Sequence, residues 1–98
     1  MLELLTVSDF ARRVGERFSI AAGDGARIDA ELIEATAVGE GARPGSRLPF
    51  SLVFRGPGDP VLAQRMYRVE HASLDSLDIF LVPIGPDSTG MRYEAVFT

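Results

Sequence analysis

The sequence predicts a mainly β domain: a small antiparallel barrel, or a sandwich if the sheet does not close, of about six strands with one short N-terminal helix. Two observations predict the strands. From Phe18 onward apolar side chains recur at every second position, the period of a half-buried strand. Short turns rich in Gly, Pro and Asp then cut the chain into segments of strand length. A third observation predicts the helix, because only Thr6 to Gly15 carry a helical signal. The barrel is favoured because closure removes the exposed edges that such apolar strands would offer for aggregation.

The helix begins at Thr6, an N-cap with Asp9 three residues later in a shortened capping box. Val7, Phe10 and Val14 fall at i, i+3 and i+7 on one side, with Arg12 and Arg13 pointing elsewhere. Gly15 is a natural C-cap. Two turns are not stable alone in water, so the Phe10 face must dock on something larger.

The strands follow. Phe18, Ile20 and Ala22 alternate with Arg17, Ser19 and Ala21, and Gly23-Asp24-Gly25 forms a hairpin turn into Ile28, Ala30 and Leu32. There the phase slips, the apolar set moving to Ile33, Ala35 and Ala37. A one-residue slip flips every side chain. It marks either a β-bulge or corner near Leu32 and Ile33, or a strand that twists out of the sheet.

Gly39 to Ser46 reads as a loop. Leu48, Phe50, Leu52 and Phe54 give the cleanest alternation in the chain and should line the core. Arg55-Gly-Pro-Gly-Asp-Pro60 ends that strand. A fourth strand spans Gln64 to His71, with Tyr67 and Val69 on one face. Ala72 to Ser76 turns into Leu77 to Ile84, which is apolar on both faces apart from Asp78. That segment reads as a central strand, or one covered by the helix on its second side. Gly85 to Gly90 closes the last hairpin, and Met91, Tyr93, Ala95 and Phe97 alternate to the end.

The 98 residues are expected to form a single domain over 1–98, large enough for a core without metal or disulfides. With no cysteine, a disulfide scaffold, a zinc-thiolate site and a catalytic thiol are excluded. The N-terminus lacks a basic region and a sustained apolar run, and no stretch approaches a membrane span. The expectation is a cytoplasmic protein without membrane association, or one carried into an assembled extracellular particle. A net charge of −4 weighs against nucleic acid as a partner. All ten basic residues are arginine, and Lys and Asn are missing. That reads as the codon bias of a GC-rich genome, so the arginines alone do not mark a site.

The chemistry these residues allow is narrow. Without lysine there is no Schiff base and no phosphate-loop lysine, and the single His71 rules out multi-histidine metal sites. No Gly-x-Ser-x-Gly elbow marks a nucleophile. Gly39 to Gly45 resembles a dinucleotide fingerprint, but its third glycine is misplaced and its flanks read as strands. His71, next to Glu70 and four residues before Asp75, is the one position where a titrating cluster is conceivable. Asp24, Asp59, Asp75 and Asp87 sit in turns without calcium-loop spacing. No catalytic, cofactor or metal residue is therefore assigned and no cofactor is expected. Arg55, Asp59, Arg43 and Asp87 are the candidate interaction residues. Arg55 either clamps a partner's carboxylate or pairs with a neighbouring acid such as Asp59.

PFSLVFRGP at 49–57, Asp59-Pro60, FLVPIGPD at 80–87 and GMRYEAVF at 90–97 together resemble a family of short bacterial proteins known only as a domain of unknown function. The resemblance implies genes often encoded beside those of phage-tail-like and tail-collar proteins, and with that a structural or assembly role. It carries over no catalytic or ligand residue. Our expectation is a non-enzymatic interaction module acting on a protein partner, a second copy of itself included. It would dock through a strand edge or the loops at Gly39 to Ser46, Gly56 to Pro60 and Gly85 to Gly90. The alternatives are a small-molecule-binding barrel with Phe50, Phe54, Tyr67 or Tyr93 at its mouth and, third, an enzyme using His71.

Overall fold

The period-two segments close on themselves. The structure, a computed structural model, describes residues 5–23, 25–38 and 49–97. It contains a helix α1 (Val7–Ala11) and six strands: β1 (Arg17–Gly23), β2 (Ala26–Ala37), β3 (Phe50–Gly56), β4 (Arg65–His71), β5 (Leu74–Pro86) and β6 (Met91–Phe97). They form a closed antiparallel barrel in the order β1-β2-β3-β6-β5-β4. Leu48, Arg43 and the loop from Gly39 to Ser46 lie outside the described residues.

Alternation decides which side chains fill the barrel. Phe18 and Ile20 of β1, Phe50, Leu52 and Phe54 of β3, Tyr67 and Val69 of β4, and Tyr93, Ala95 and Phe97 of β6 are all buried in one cluster. Leu77, Ile79 and Leu81 of β5 join them. The intervening residues face outward, as period two requires.

The phase slip in β2 is a bulge. Pairing with β3 runs Leu32↔Phe54 and then Glu34↔Val53, so Ile33 is the extra residue. Leu32 also fastens the helix exit, its carbonyl accepting from the Gly15 N–H at 2.7 Å and its N–H donating to the Glu16 carbonyl at 3.0 Å.

Both barrel ends are plugged. At one, Phe10 of α1 is fully buried, with ring centroids 5.7 Å from Phe50 and 6.0 Å from Phe97. Burying that ring stabilises the fold by about 3 kcal/mol. At the other, the 57–64 loop inserts Leu62, whose N–H donates to Tyr93 Oη at 2.8 Å.

Three expectations change. The helix is shorter than Thr6 to Gly15, residues 12–15 forming turns, and Val14 is 45 % exposed instead of docking beside Phe10. Gly15 adopts a φ of +92°, in the left-handed region, and its amide is committed to Leu32, so the chain leaves the helix before Val14 can pack. The turn before β5 is tighter than expected, the strand starting at Leu74. The helix does not cover the second face of β5, because α1 packs on β2 and β3 and spends its one aromatic anchor on the open end of the barrel.

Candidate functional site: turns, a histidine staple and an apolar wall

Of the four candidate interaction residues, the fold brings two together. Arg55 donates through Nε to Asp87 Oδ2 at 2.8 Å, and its Nη2 lies 2.7 Å from the same oxygen. A longer ion pair at 3.8 Å joins Arg55 to Glu31. Asp87 Oδ1 accepts from the Thr89 N–H at 2.8 Å, the Thr89 hydroxyl at 3.0 Å and the Gly90 N–H at 3.0 Å. The Arg55 hydrogen bond, and after it the Thr89 backbone N–H, hold the Asp87 carboxyl well below the usual carboxylate range. Asp87 in turn raises the Arg55 guanidinium above its ordinary value.

These two side chains therefore staple β3 to the β5–β6 turn. The expected pairing of Arg55 with Asp59 does not form: Asp59 is exposed in the next turn while Arg55 reaches across to Asp87. Arg43 lies outside the described residues.

The residues expected at a ligand-holding mouth are committed elsewhere. Phe50, Phe54, Tyr67 and Tyr93 are all in the packed core. Both phenols bond the plugging loop, Tyr67 O–H donating to the Ala63 carbonyl at 2.6 Å while Tyr93 Oη accepts from Leu62. A cleft of about 530 Å³ lies at that end outside the plug, bordered by Ala22, Ile28, Val61 and Arg65 and, of the expected mouth residues, by Tyr67.

His71 forms a cluster, but not with Glu70 or Asp75. Its Nε2 lies 2.6 Å from Glu16 Oε1, and its ring packs on Phe18 with centroids 4.6 Å apart. Nδ1 accepts from the Ser73 N–H at 3.0 Å and lies 3.1 Å from Ser73 Oγ. Arg13 donates to that hydroxyl through Nε and Nη2 at 3.3 and 3.2 Å, and through Nη1 to the Asp9 carbonyl. Glu70 is engaged instead by Arg27 at 2.6 Å.

Ser73, His71 and Glu16 stand in the order of nucleophile, base and orienting acid. Yet Nδ1, the nitrogen facing the hydroxyl, already accepts from the backbone N–H of the same serine. Taking up a proton there would break that bond, so the arrangement serves better as a staple between the helix exit and the β4–β5 turn. Among the described residues no group of His, Asp and Glu side chains could hold a metal ion. No helix among them is long and apolar enough to cross a membrane.

The barrel exterior has two different walls. Across β1, β2 and the C-terminal half of β4, opposite charges are matched: Arg17 with Asp29 at 3.8 Å, Arg27 with Glu70 at 2.6 Å. Across the start of β4, the middle of β5 and the end of β6 the exterior carries an apolar patch, bordered by the charged Arg68, Asp78, Arg92 and Glu94. Met66 is 57 %, Phe80 46 % and Val96 59 % exposed, with Ile84 at 39 % and Val82 half-buried. Met66 and Phe80 are register partners, and carrying the Val82↔Glu94 pairing back by two residues sets Val96 on the other side of Phe80.

That wall is visible in the sequence only as the two-faced apolar run from Leu77 to Ile84, which reads as a central strand or one covered by the helix on its second side. Among the described residues the helix does not reach that face, and Phe80 and Ile84 are exposed on it. Comparison with curated proteins and with solved structures finds no match. A family model does match over residues 5–97, and by it the chain belongs to the family described as a domain of unknown function, DUF6916.

Proposed function

We propose that this chain is a non-enzymatic interaction module that docks through the outer face of β4, β5 and β6, as an accessory component of a larger assembly. The observation that carries the reading is the exposure of Met66, Phe80 and Val96, three large apolar side chains on the outside of a closed barrel, the first two as register partners. The largest apolar patch on a small monomer is often the one through which it acts. Burying an aromatic such as Phe80 at the centre of a contact contributes the kind of anchor that dominates interface energy. A phage-tail-like or adhesion apparatus is the setting we infer, following what the resemblance of the 49–57, 80–87 and 90–97 motifs implies.

Docking by strand addition is disfavoured at this place. The barrel is closed, and where β5 runs beyond the start of β4 it carries Pro83 and Pro86, which cannot donate to an added ladder. Contact therefore has to be made through the face. The test is a matched affinity capture from the native cell with wild-type and Phe80→Asp baits, both shown to be folded by thermal melting. Wild type should recover components of an assembled particle that the variant loses. Recovery of the same proteins by both baits, or of none by either, would overturn the reading.

A further inference from the structure

We infer that the cleft over the Leu62 plug is a binding site for a small monocarboxylate with an apolar body, its carboxylate on Arg65 and its body on the plugging loop. The inference goes beyond the docking reading, because it uses the mouth of the barrel and not the outer face that carries Phe80.

The site exists because one seam of the barrel is short. β1 and β4 share three register pairs, Ser19↔Glu70, Ile20↔Val69 and Ala21↔Arg68. Beyond Ala21↔Arg68, β1 runs on to Gly23 and β4 reaches back to Arg65 without pairing with each other. Here lies the cleft of about 530 Å³, the size of a small-molecule site. Its apolar lining is Ala22, Ala26 and Ile28 from the β1–β2 hairpin, with Val61 and Leu62 from the plug. Val61 is 52 % exposed, an apolar side chain that a ligand's body would take out of water.

Arg65 supplies the charge. It shares the inward face of β4 with Tyr67 and Val69 but stands at the end of the strand, in the mouth. Its guanidinium carbon lies over the Tyr67 ring, 4.9 Å from the centroid, and a Cβ on Gly23 would stand 3.4 Å from its Nη2. The ring is itself fixed by its hydroxyl, which donates to the Ala63 carbonyl, so the fork is held in place before any ligand arrives. Among the described residues Arg65 takes part in no hydrogen bond and no ion pair. Every other described arginine has an oxygen partner, Arg27 at the same cleft being held by Glu70 at 2.6 Å.

The sign of the cleft opposes that of the chain. The net charge is −4, and the neighbouring clefts are lined by carboxylates: Glu70 and Asp29 in one, Glu31 and Asp29 in another, Asp75 in a third. Among the described residues lining this one there are two guanidinium groups and no carboxylate. The complementary ligand is therefore an anion. One free fork matches one carboxylate, which it can hold by two parallel N–H···O bonds. In a partly desolvated cleft that attraction exceeds its value in water. One such contact and a few apolar ones set a dissociation constant of about 1 mM.

Titration of the isotope-labelled chain with sodium hexanoate to about 20 mM covers that constant about twentyfold. Amide shifts should concentrate at Gly23, Ile28, Val61 and Arg65 and fit one site. Hexanamide, with the same body and no charge, and acetate, with the charge and almost no body, should each bind about tenfold or more weakly. Arg65→Gln should weaken hexanoate about tenfold and leave hexanamide within about threefold, because it removes only the fork. Phe80→Asp should bind hexanoate as wild type does, whatever becomes of docking. Circular dichroism and melting of both variants separate lost binding from lost folding.

Hexanoate that moves no amide around the cleft overturns the site. Shifts gathered instead at Met66, Phe80 and Val96 overturn it as well, by placing the ligand on the outer face. Hexanamide binding as tightly as hexanoate, or Arg65→Gln binding hexanoate as tightly as wild type, overturns the carboxylate on Arg65.

Discussion

Gly90 lies so tightly against the carbonyl of Gly56 that no side chain fits between them. A Cβ on Gly90 would fall well inside contact distance of that oxygen, and would also meet Arg55 Cγ at 3.2 Å. The obstacle is backbone, held by the β3–β6 ladder through Gly56↔Met91, so it cannot step aside as a flexible side chain would. Gly90→Ala should therefore destabilise by about 3 kcal/mol or more, the range of backbone overpacking in a fixed frame. Urea denaturation would register this as a lower midpoint at unchanged slope.

Asp87 gives that end of the barrel a pH dependence of definite sign. Its carboxyl is depressed in the folded chain by Arg55 and by the Thr89 N–H, whereas in the unfolded chain it titrates near about 3.9. A depressed folded value means the stabilisation is complete above the unfolded value and drains away as the pH falls below it towards the folded one. Melting temperatures of wild type and Asp87→Asn should differ most above about pH 5 and converge as the pH is lowered to about 2. A difference that stays constant across that range would place the effect in shape and not in charge.

How much of this end was legible depends on sequence distance. The alternation of Phe50, Leu52 and Phe54 and the slip at Leu32 are local patterns, and both correspond to what the barrel does with them. The partners of Arg55 and His71 are not local. Asp59 is four residues from Arg55 and was the natural choice, but the register that sets β3 beside β6 delivers Asp87, 32 residues away. His71 likewise passes over Glu70 and Asp75 for Glu16, 55 residues back, because β1 lies beside β4 in the closed barrel. Phe80 is a third kind of case: its apolar excess was readable, but what it faces depends on packing that no period encodes.

The closing loop offers a measurement of how firmly the barrel mouth is sealed. Tyr93 is 1 % exposed, and its hydroxyl is the acceptor for the Leu62 N–H. Tyr93→Phe keeps the ring and leaves a buried backbone donor without a partner, which costs about 1–3 kcal/mol. Hydrogen exchange at the Leu62 amide should accelerate by more than exchange in the β3 ladder, since the loop opens before the sheet does. Equal acceleration at both would mean that loop and sheet open together.

Phe10 and Val14 separate the helix the periodicity suggests from the one that forms. Both belong to the same predicted face, yet Phe10 is fully buried against Phe50 and Phe97 while Val14 is 45 % exposed. Truncating Phe10 removes the plug from one end of the core and should cost about 3–5 kcal/mol, a large share of the stability of a domain this small. Truncating Val14 should stay within about 0.5 kcal/mol of wild type. The phenyl ring also stands next to the stacked pair of Phe50 and Phe97, whose centroids are 4.7 Å apart, so its loss exposes two further aromatic rings to water. Denaturation of Phe10→Ala and Val14→Ala side by side reads the contrast directly. Similar losses for the two would mean that the helix runs on past Arg12 and docks both residues.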